Sequence, residues 1–179
     1  SLCEMASTPS GLGSVGAIGM GDLEAYISHY RSYGRVMRLR FIAERNESLR
    51  CEAVRLLVSF LKSGTANTFL YKKVCEQYVP LGYCEYDANW VNQTDAMAQR
   101  KQNKLEEELK PWDMELNKES IRLTNEDYGD FLCERGDLPH ALQRYLKAMD
   151  YCTDAKHVVA MCLNIIKVSI WMGNFTAID

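Results

Sequence analysis

The sequence predicts an all-α fold, a right-handed superhelical solenoid of antiparallel helix pairs. Three observations carry this. Apolar residues recur at three- and four-residue spacing in segment after segment. No stretch alternates apolar and polar residues between turns, as a half-buried strand would. A turn of Gly-Asp/Asn-apolar type, Gly136-Asp137-Leu138, returns as Gly173-Asn174-Phe175 after 37 residues.

Residues 1–21 are rich in Gly, Ser and Ala without periodicity, and are expected to be a flexible tail. Within them, Gly11-Leu12-Gly13-Ser14-Val15-Gly16 formally matches a dinucleotide-binding fingerprint. That chemistry needs a strand before the glycines and a helix after them. The preceding Ala6-Ser7-Thr8-Pro9-Ser10 has a loop composition, so the match is a coincidence of composition.

Residues 22–117 are expected to form an N-terminal helical region. Asp22 is the predicted N-cap of a helix over Leu23–Tyr30, and Gly34 divides it from a second over Arg35–Glu44. Ser48 is expected to cap a third, carrying Leu49, Ala53, Leu56, Leu57, Phe60 and Leu61 on its apolar face and stopped by Gly64. Phe69, Leu70, Val74 and Tyr78 give the same pattern over Thr65–Val79, after which Pro80–Asp87 reads as a loop. Asn89–Asn117 is the least apolar part: a long solvated helix anchored by Leu105 and Leu109, with Lys104–Glu108 as an attractive pair four residues apart. Pro111 should kink or split it.

Residues 118–179 carry the repeat. Ile121, Asn125, Tyr128 and Leu132 line one helix; Ala141, Tyr145, Ala148 and Cys152 line the next. Gly129, Ala141, Tyr145 and Ala148 fall at the small, small, aromatic, small spacing of a tetratricopeptide-type hairpin. There the small residues let two helices approach and the aromatic fills the groove between them. A second hairpin opens with Val158, Cys162, Ile165, Ser169 and Met172 on one face and Leu163, Ile166, Ile170 and Trp171 on another, followed by Gly173. Apolar nearly all round, this helix should be sandwiched between neighbours. The second hairpin stops early, so a longer solenoid is expected.

With 47% hydrophobic and 25% charged residues, the chain has enough apolar surface to fold. The longest uninterrupted apolar run, Val158–Leu163, falls short of the ~20 residues a bilayer requires, so no membrane partner is expected. A net charge of −3 gives no global basic field for nucleic acid. Arg35, Arg38 and Arg40 form the one compact basic cluster, interleaved with Met37, Leu39, Phe41 and Ile42. It is expected to be an amphipathic helix with its charges in water, and is the candidate interaction surface. Seven cysteines, odd in number and without a C-x-x-C pair, argue against a disulfide framework and for the nucleus and cytoplasm.

Further residues make the identification specific. Asn117-Lys118-Glu119-Ser120-Ile121-Arg122, Tyr128-Gly129-Asp130-Phe131, Asp150-Tyr151-Cys152-Thr153, Lys156-His157-Val158 and Met161-Cys162-Leu163-Asn164, with Met37–Ala43 upstream, resemble the family of COP nine signalosome subunit one. The proteasome-lid subunit related to it shares the same plan: a helical solenoid followed by a winged-helix PCI module. The resemblance implies a scaffold within a complex that removes a ubiquitin-like modifier from cullin-RING ligases. It implies other signalosome subunits, and cullin-RING ligase components, as partners. A proteasome-lid scaffold and an independent peptide-binding repeat adaptor are the alternatives.

An enzyme is not expected. His29, His140 and His157 lie far apart, with neither H-x-H nor H-E-x-x-H for a metal. Cys152 and His157, five residues apart, read as a packed thiol and a helix-start imidazole rather than nucleophile and base. No cofactor is expected.

Overall fold

The computed structural model describes residues 22–110 and 118–173; the Gly-rich stretch, the break expected at Pro111 and everything after Gly173 lie outside them. Within them all regular structure is helical: α1 (Leu23–Ser28), α2 (Ser32–Arg45), α3 (Arg50–Gly64), α4 (Thr68–Tyr78), α5 (Ala88–Glu108), α6 (Lys118–Arg135), α7 (Leu138–Met149) and α8 (Ala155–Met172). The helices pack as neighbouring pairs, an all-α helical-repeat solenoid.

Side-chain chemistry explains where the helices begin. Asn67 accepts from the Leu70 amide, Asp87 from Trp90, Asp137 from His140 and Asp154 from Lys156, each satisfying an otherwise orphaned first-turn donor. The caps expected at Asp22 and Ser48 do not form. Ser48 instead donates to Asn46 Oδ1 (2.7 Å), which also accepts from the Leu49 amide (3.1 Å), so Asn46 organises that turn. Gly34 does not divide two helices either. It lies within α2, and the break falls earlier, at Tyr30–Arg31.

The first core collects Leu23 and Ile27 of α1, Leu39 and Ile42 of α2, and Leu57 and Leu61 of α3. Tyr71 of α4, absent from the predicted pattern, is fully buried there. Its hydroxyl donates to Glu85 O (3.2 Å) and accepts from the Asp87 amide (2.9 Å), so one ring ties the loop after α4 to the start of α5. Burial pushes that hydroxyl's pKa up to about 12. Phe69, expected on the buried face, is 67% exposed: α4 is buried through Leu70, Tyr71, Val74 and Tyr78, and Phe69 points away.

The long charged helix is held by Val91, Ala98 and Leu105, and carries the expected Lys104–Glu108 pair at 3.7 Å. Two carboxylates secure its attachment. Asp87 binds Lys62 of α3 at 2.5 Å, and Asp95 accepts from Thr68 (2.6 Å) and Arg135 (2.9 Å). The Lys62 hydrogen bond holds the Asp87 carboxyl below the ordinary value of 3.8. Burial raises that of Asp95, but the bonds from Thr68 and Arg135 outweigh it, and it too is lowered. Depressed carboxylates stabilise the fold fully above their unfolded pKa, and this contribution is lost as pH falls through the folded value. The urea midpoint should therefore drop steeply as pH falls below the ordinary aspartate value. An Asp87→Asn, Asp95→Asn variant should start lower at neutral pH and decline less. Parallel declines would contradict the assignment.

α8 differs most from expectation. Met161, Ile165, Val168 and Ser169 are buried toward α7, whereas Val159, Leu163, Ile166 and Ile170 are exposed. Among the described residues no element covers that second face, so α8 is packed on one side rather than sandwiched. Judged as a whole helix of 18 residues, with a mean hydropathy of 1.3, α8 is also long and apolar enough to cross a membrane by length and composition. The count of uninterrupted apolar residues missed this, because Asn164 and Lys167 interrupt the run without lowering the average enough.

Candidate interaction surface

Of the residues singled out in the repeat, Gly129, Ala141, Tyr145 and Ala148 come together between α6 and α7. Ala141, Tyr145 and Ala148 are fully buried. A Cβ on Gly129 would lie 2.6 Å from Tyr145 Cε1, so only glycine lets the ring lie flat on α6. The ring lies within the interface, and its hydroxyl donates to Asp130 (2.5 Å) and lies 3.6 Å from Cys133 Sγ. Cys152 and Cys162 are half-buried, and Gly173 ends α8 in the left-handed region at φ 67°.

Arg135, at the end of α6, joins this hairpin to the helices before it. Its Nη1 donates to Ala66 O (2.7 Å), Thr68 Oγ1 (3.2 Å) and Asp95 Oδ1 (2.9 Å), and the Ala66 amide donates back to Glu134 O (3.0 Å). Tyr33 of α2 also meets Trp171 of α8, ring centroids 5.7 Å apart.

Between these junctions the chain leaves a groove of about 860 Å³. Its walls are α2 (Tyr33, Arg40), α4 (Phe69, Lys73) and the α6–α7 turn (Asp137, Pro139). Leu57, Leu70 and Val74 line its depth. Phe69 stands on the lip with Lys73 Nζ 4.4 Å above its ring, a cation–π pair facing solvent. A large aromatic held in the open beside a concave surface of mixed charged and apolar lining is the pattern of an interface anchor.

The basic cluster is not assembled as one patch. Arg35 lies over the Phe60 ring (4.9 Å), and Arg38 over Tyr26 (5.3 Å) and Phe41 (5.4 Å), both half-buried against the aromatic edge of the first core. Arg40 points the other way, into the groove, and pairs with Glu44 at 3.5 Å. The charges expected in water are thus divided: Arg40 is exposed, whereas the stems of Arg35 and Arg38 cover apolar surface.

Cys152 and His157 do not form a thiol–imidazole pair. The Cys152 thiol donates to Ala148 O (3.5 Å), and burial raises its pKa, which disfavours the thiolate a nucleophile needs. His157 Nδ1 lies 4.0 Å from Glu119, itself bound to the buried Arg122. Among the described residues no group of three His, Cys, Asp or Glu side chains is placed to hold a metal ion.

The sequence reading missed Phe69 as a surface residue and Arg135 as a junction. Phe69 lay within the expected apolar periodicity, and nothing local marks Arg135, whose partners are up to 69 residues away.

Residues 87–179 match the family model described as 26S proteasome subunit RPN7. The chain is 39% identical over 160 residues to COP9 signalosome complex subunit 1 of Arabidopsis thaliana, covering 87% of this chain and 36% of the relative. It is 30% identical over 156 residues to the Schizosaccharomyces pombe protein of the same name, covering 87% of this chain and 37% of the relative. Over a shorter region, 90 residues, it is 48% identical to COP9 signalosome complex subunit 1b of Drosophila melanogaster, covering 50% of this chain and 17% of the relative. The chain thus spans little more than a third of the length of the first two. With half the sequence, including the hairpin built on Gly129 and Tyr145, matched by the family model, the chain belongs to the RPN7 family.

Proposed function

We propose that this chain is a non-catalytic scaffold segment of a signalosome, holding neighbouring subunits and cullin-RING ligase components against its helical surface, in the nucleus and cytoplasm. The observation that carries the proposal is the groove between α2, α4 and the α6–α7 turn, with Phe69 exposed on its lip. It sits where the N-terminal helices meet the hairpin, and both walls are fixed by the Arg135 and Tyr33 contacts. A rigid concave surface of this kind positions partners without performing chemistry. Signalosome rather than proteasome lid is supported by the relatives, which carry the signalosome name across plant, fission yeast and fly.

Tagged chain expressed in cells, purified and read by quantitative mass spectrometry, tests the assignment. Signalosome subunits should be enriched, and a Phe69→Asp, Lys73→Glu variant should lose most of that enrichment while melting at the wild-type temperature. Enrichment of proteasome-lid subunits instead would make the chain a lid scaffold. Full retention of partners by the variant would remove the groove from the interface.

A further inference from the structure

The arginines of α2 sort onto two flanks of the helix. Arg35, Arg38 and Arg45 are spaced by three and seven residues, so they share one side along about 15 Å of the axis. Arg31, the residue before the first turn, adds a fourth charge at that end. Arg40 lies on the other side, in the groove.

Aromatic rings hold two of these guanidinium groups in place. That of Arg38 lies 5.3 Å from the centre of Tyr26, 5.8 Å from Tyr30 and 5.4 Å from Phe41, and that of Arg35 lies 4.9 Å from Phe60. The hydroxyls of Tyr26 and Tyr30 are 2.9 Å apart, which fixes the two rings to one another. A guanidinium stacked on a ring keeps the N–H donors at its edge for acceptors in its own plane, the fork that grips a carboxylate through two bonds. Because stacking has already ordered these long side chains, less entropy is lost when a partner binds.

The stripe is not neutralised from within. Arg40 and Arg50 have carboxylate partners, Glu44 at 3.5 Å and Glu47 at 3.9 Å. Among the described residues, Arg31, Arg35 and Arg45 have no carboxylate within ion-pair distance. The surrounding charge has the same sign. Residues 22–82 carry ten Lys and Arg against six Asp and Glu, a net +4, whereas residues 83–110 and 118–173 carry eleven against fourteen, a net −3.

We infer that the Arg31–Arg35–Arg38–Arg45 flank of α2 is a docking surface for an acidic segment of a partner protein, laid along the helix with its carboxylates in the stacked arginine forks. A nucleic acid fits less well. The rings facing the stripe are taken by guanidinium groups and are no free platform for bases, and the acidic later helices repel a long polyanion. The surface is separate from the groove, whose α2 wall is the Tyr33 and Arg40 side.

Fluorescence anisotropy with the 179-residue chain tests it, using a labelled peptide of about twelve glutamates, long enough to lie along that span. Binding should be saturable at about 0.15 M salt. Arg31→Glu, Arg45→Glu, a change of two exposed side chains that leaves the stacked pair intact, should weaken it at least roughly tenfold. Arg55→Glu, Lys147→Glu makes the same change in net charge at exposed positions on α3 and α7, and should alter it less than about twofold. Arg35→Lys keeps the charge but loses the planar fork, and should weaken binding roughly threefold or more. Equal losses in the two double variants would reduce the effect to overall charge and overturn the inference. So would full affinity in Arg35→Lys, the absence of saturable binding, or tighter binding of a single-stranded RNA of equal length.

Discussion

Replacing Tyr145 by Ala should lower stability by about 3–5 kcal/mol, the range for deleting a buried aromatic side chain. The reason lies in the pairing with Gly129. The ring occupies the space that a Cβ on Gly129 would fill, so its removal opens a void along the α6–α7 interface that neither backbone can close without shifting. Tyr145→Phe separates the two roles of the side chain. It keeps the ring and loses the hydroxyl's bonds to Asp130 and Cys133, which should cost about 1 kcal/mol. Urea denaturation followed by circular dichroism distinguishes them. Two variants of equal stability would place the weight on the hydroxyl instead of the packing.

The second large effect is expected at Gly136. Its φ of 80° lies in the left-handed region, and an added Cβ would overlap the Asn67 side-chain amide. Asn67 caps α4 through the Leu70 amide, so the substitution strains the α6–α7 turn and displaces a cap on the other layer at once. Gly136→Ala should therefore cost about 2–4 kcal/mol, combining left-handed strain with the lost cap. Asn67→Ala alone should cost only about 1 kcal/mol. If Gly136→Ala were no worse than Asn67→Ala, the turn would not be clamped against α4 as described.

The helical class and the α6–α7 hairpin were legible because their signals are local. The spacing of Gly129, Ala141, Tyr145 and Ala148 is a property of two adjacent helices, and the structure joins these residues in one interface. Caps were harder to read. Ser48 and Asp22 are good capping residues by type, but Asn46 competes for the first turn of α3 and Asp22 makes no side-chain bond. The groove was not legible, because its walls come from α2, α4 and the α6–α7 turn, brought together by Arg135 and by the Tyr33–Trp171 contact. Phe69 illustrates the limit: periodicity places it one position from Leu70, and only the packed neighbours decide which of the two faces the core.

The scaffold reading is tested most directly by binding in a purified system. The chain, with wild-type groove or with Phe69→Asp and Lys73→Glu, would be titrated against the remaining signalosome subunits and, separately, against proteasome-lid subunits. Saturable binding to the signalosome subunits, weakened at least roughly tenfold by the groove variant as expected for loss of an interface anchor, is the predicted result. Leu146→Asp, a control on the exposed side of α7, should leave it unchanged. Saturable binding to the lid subunits alone, or identical affinities for wild type and groove variant, would contradict it.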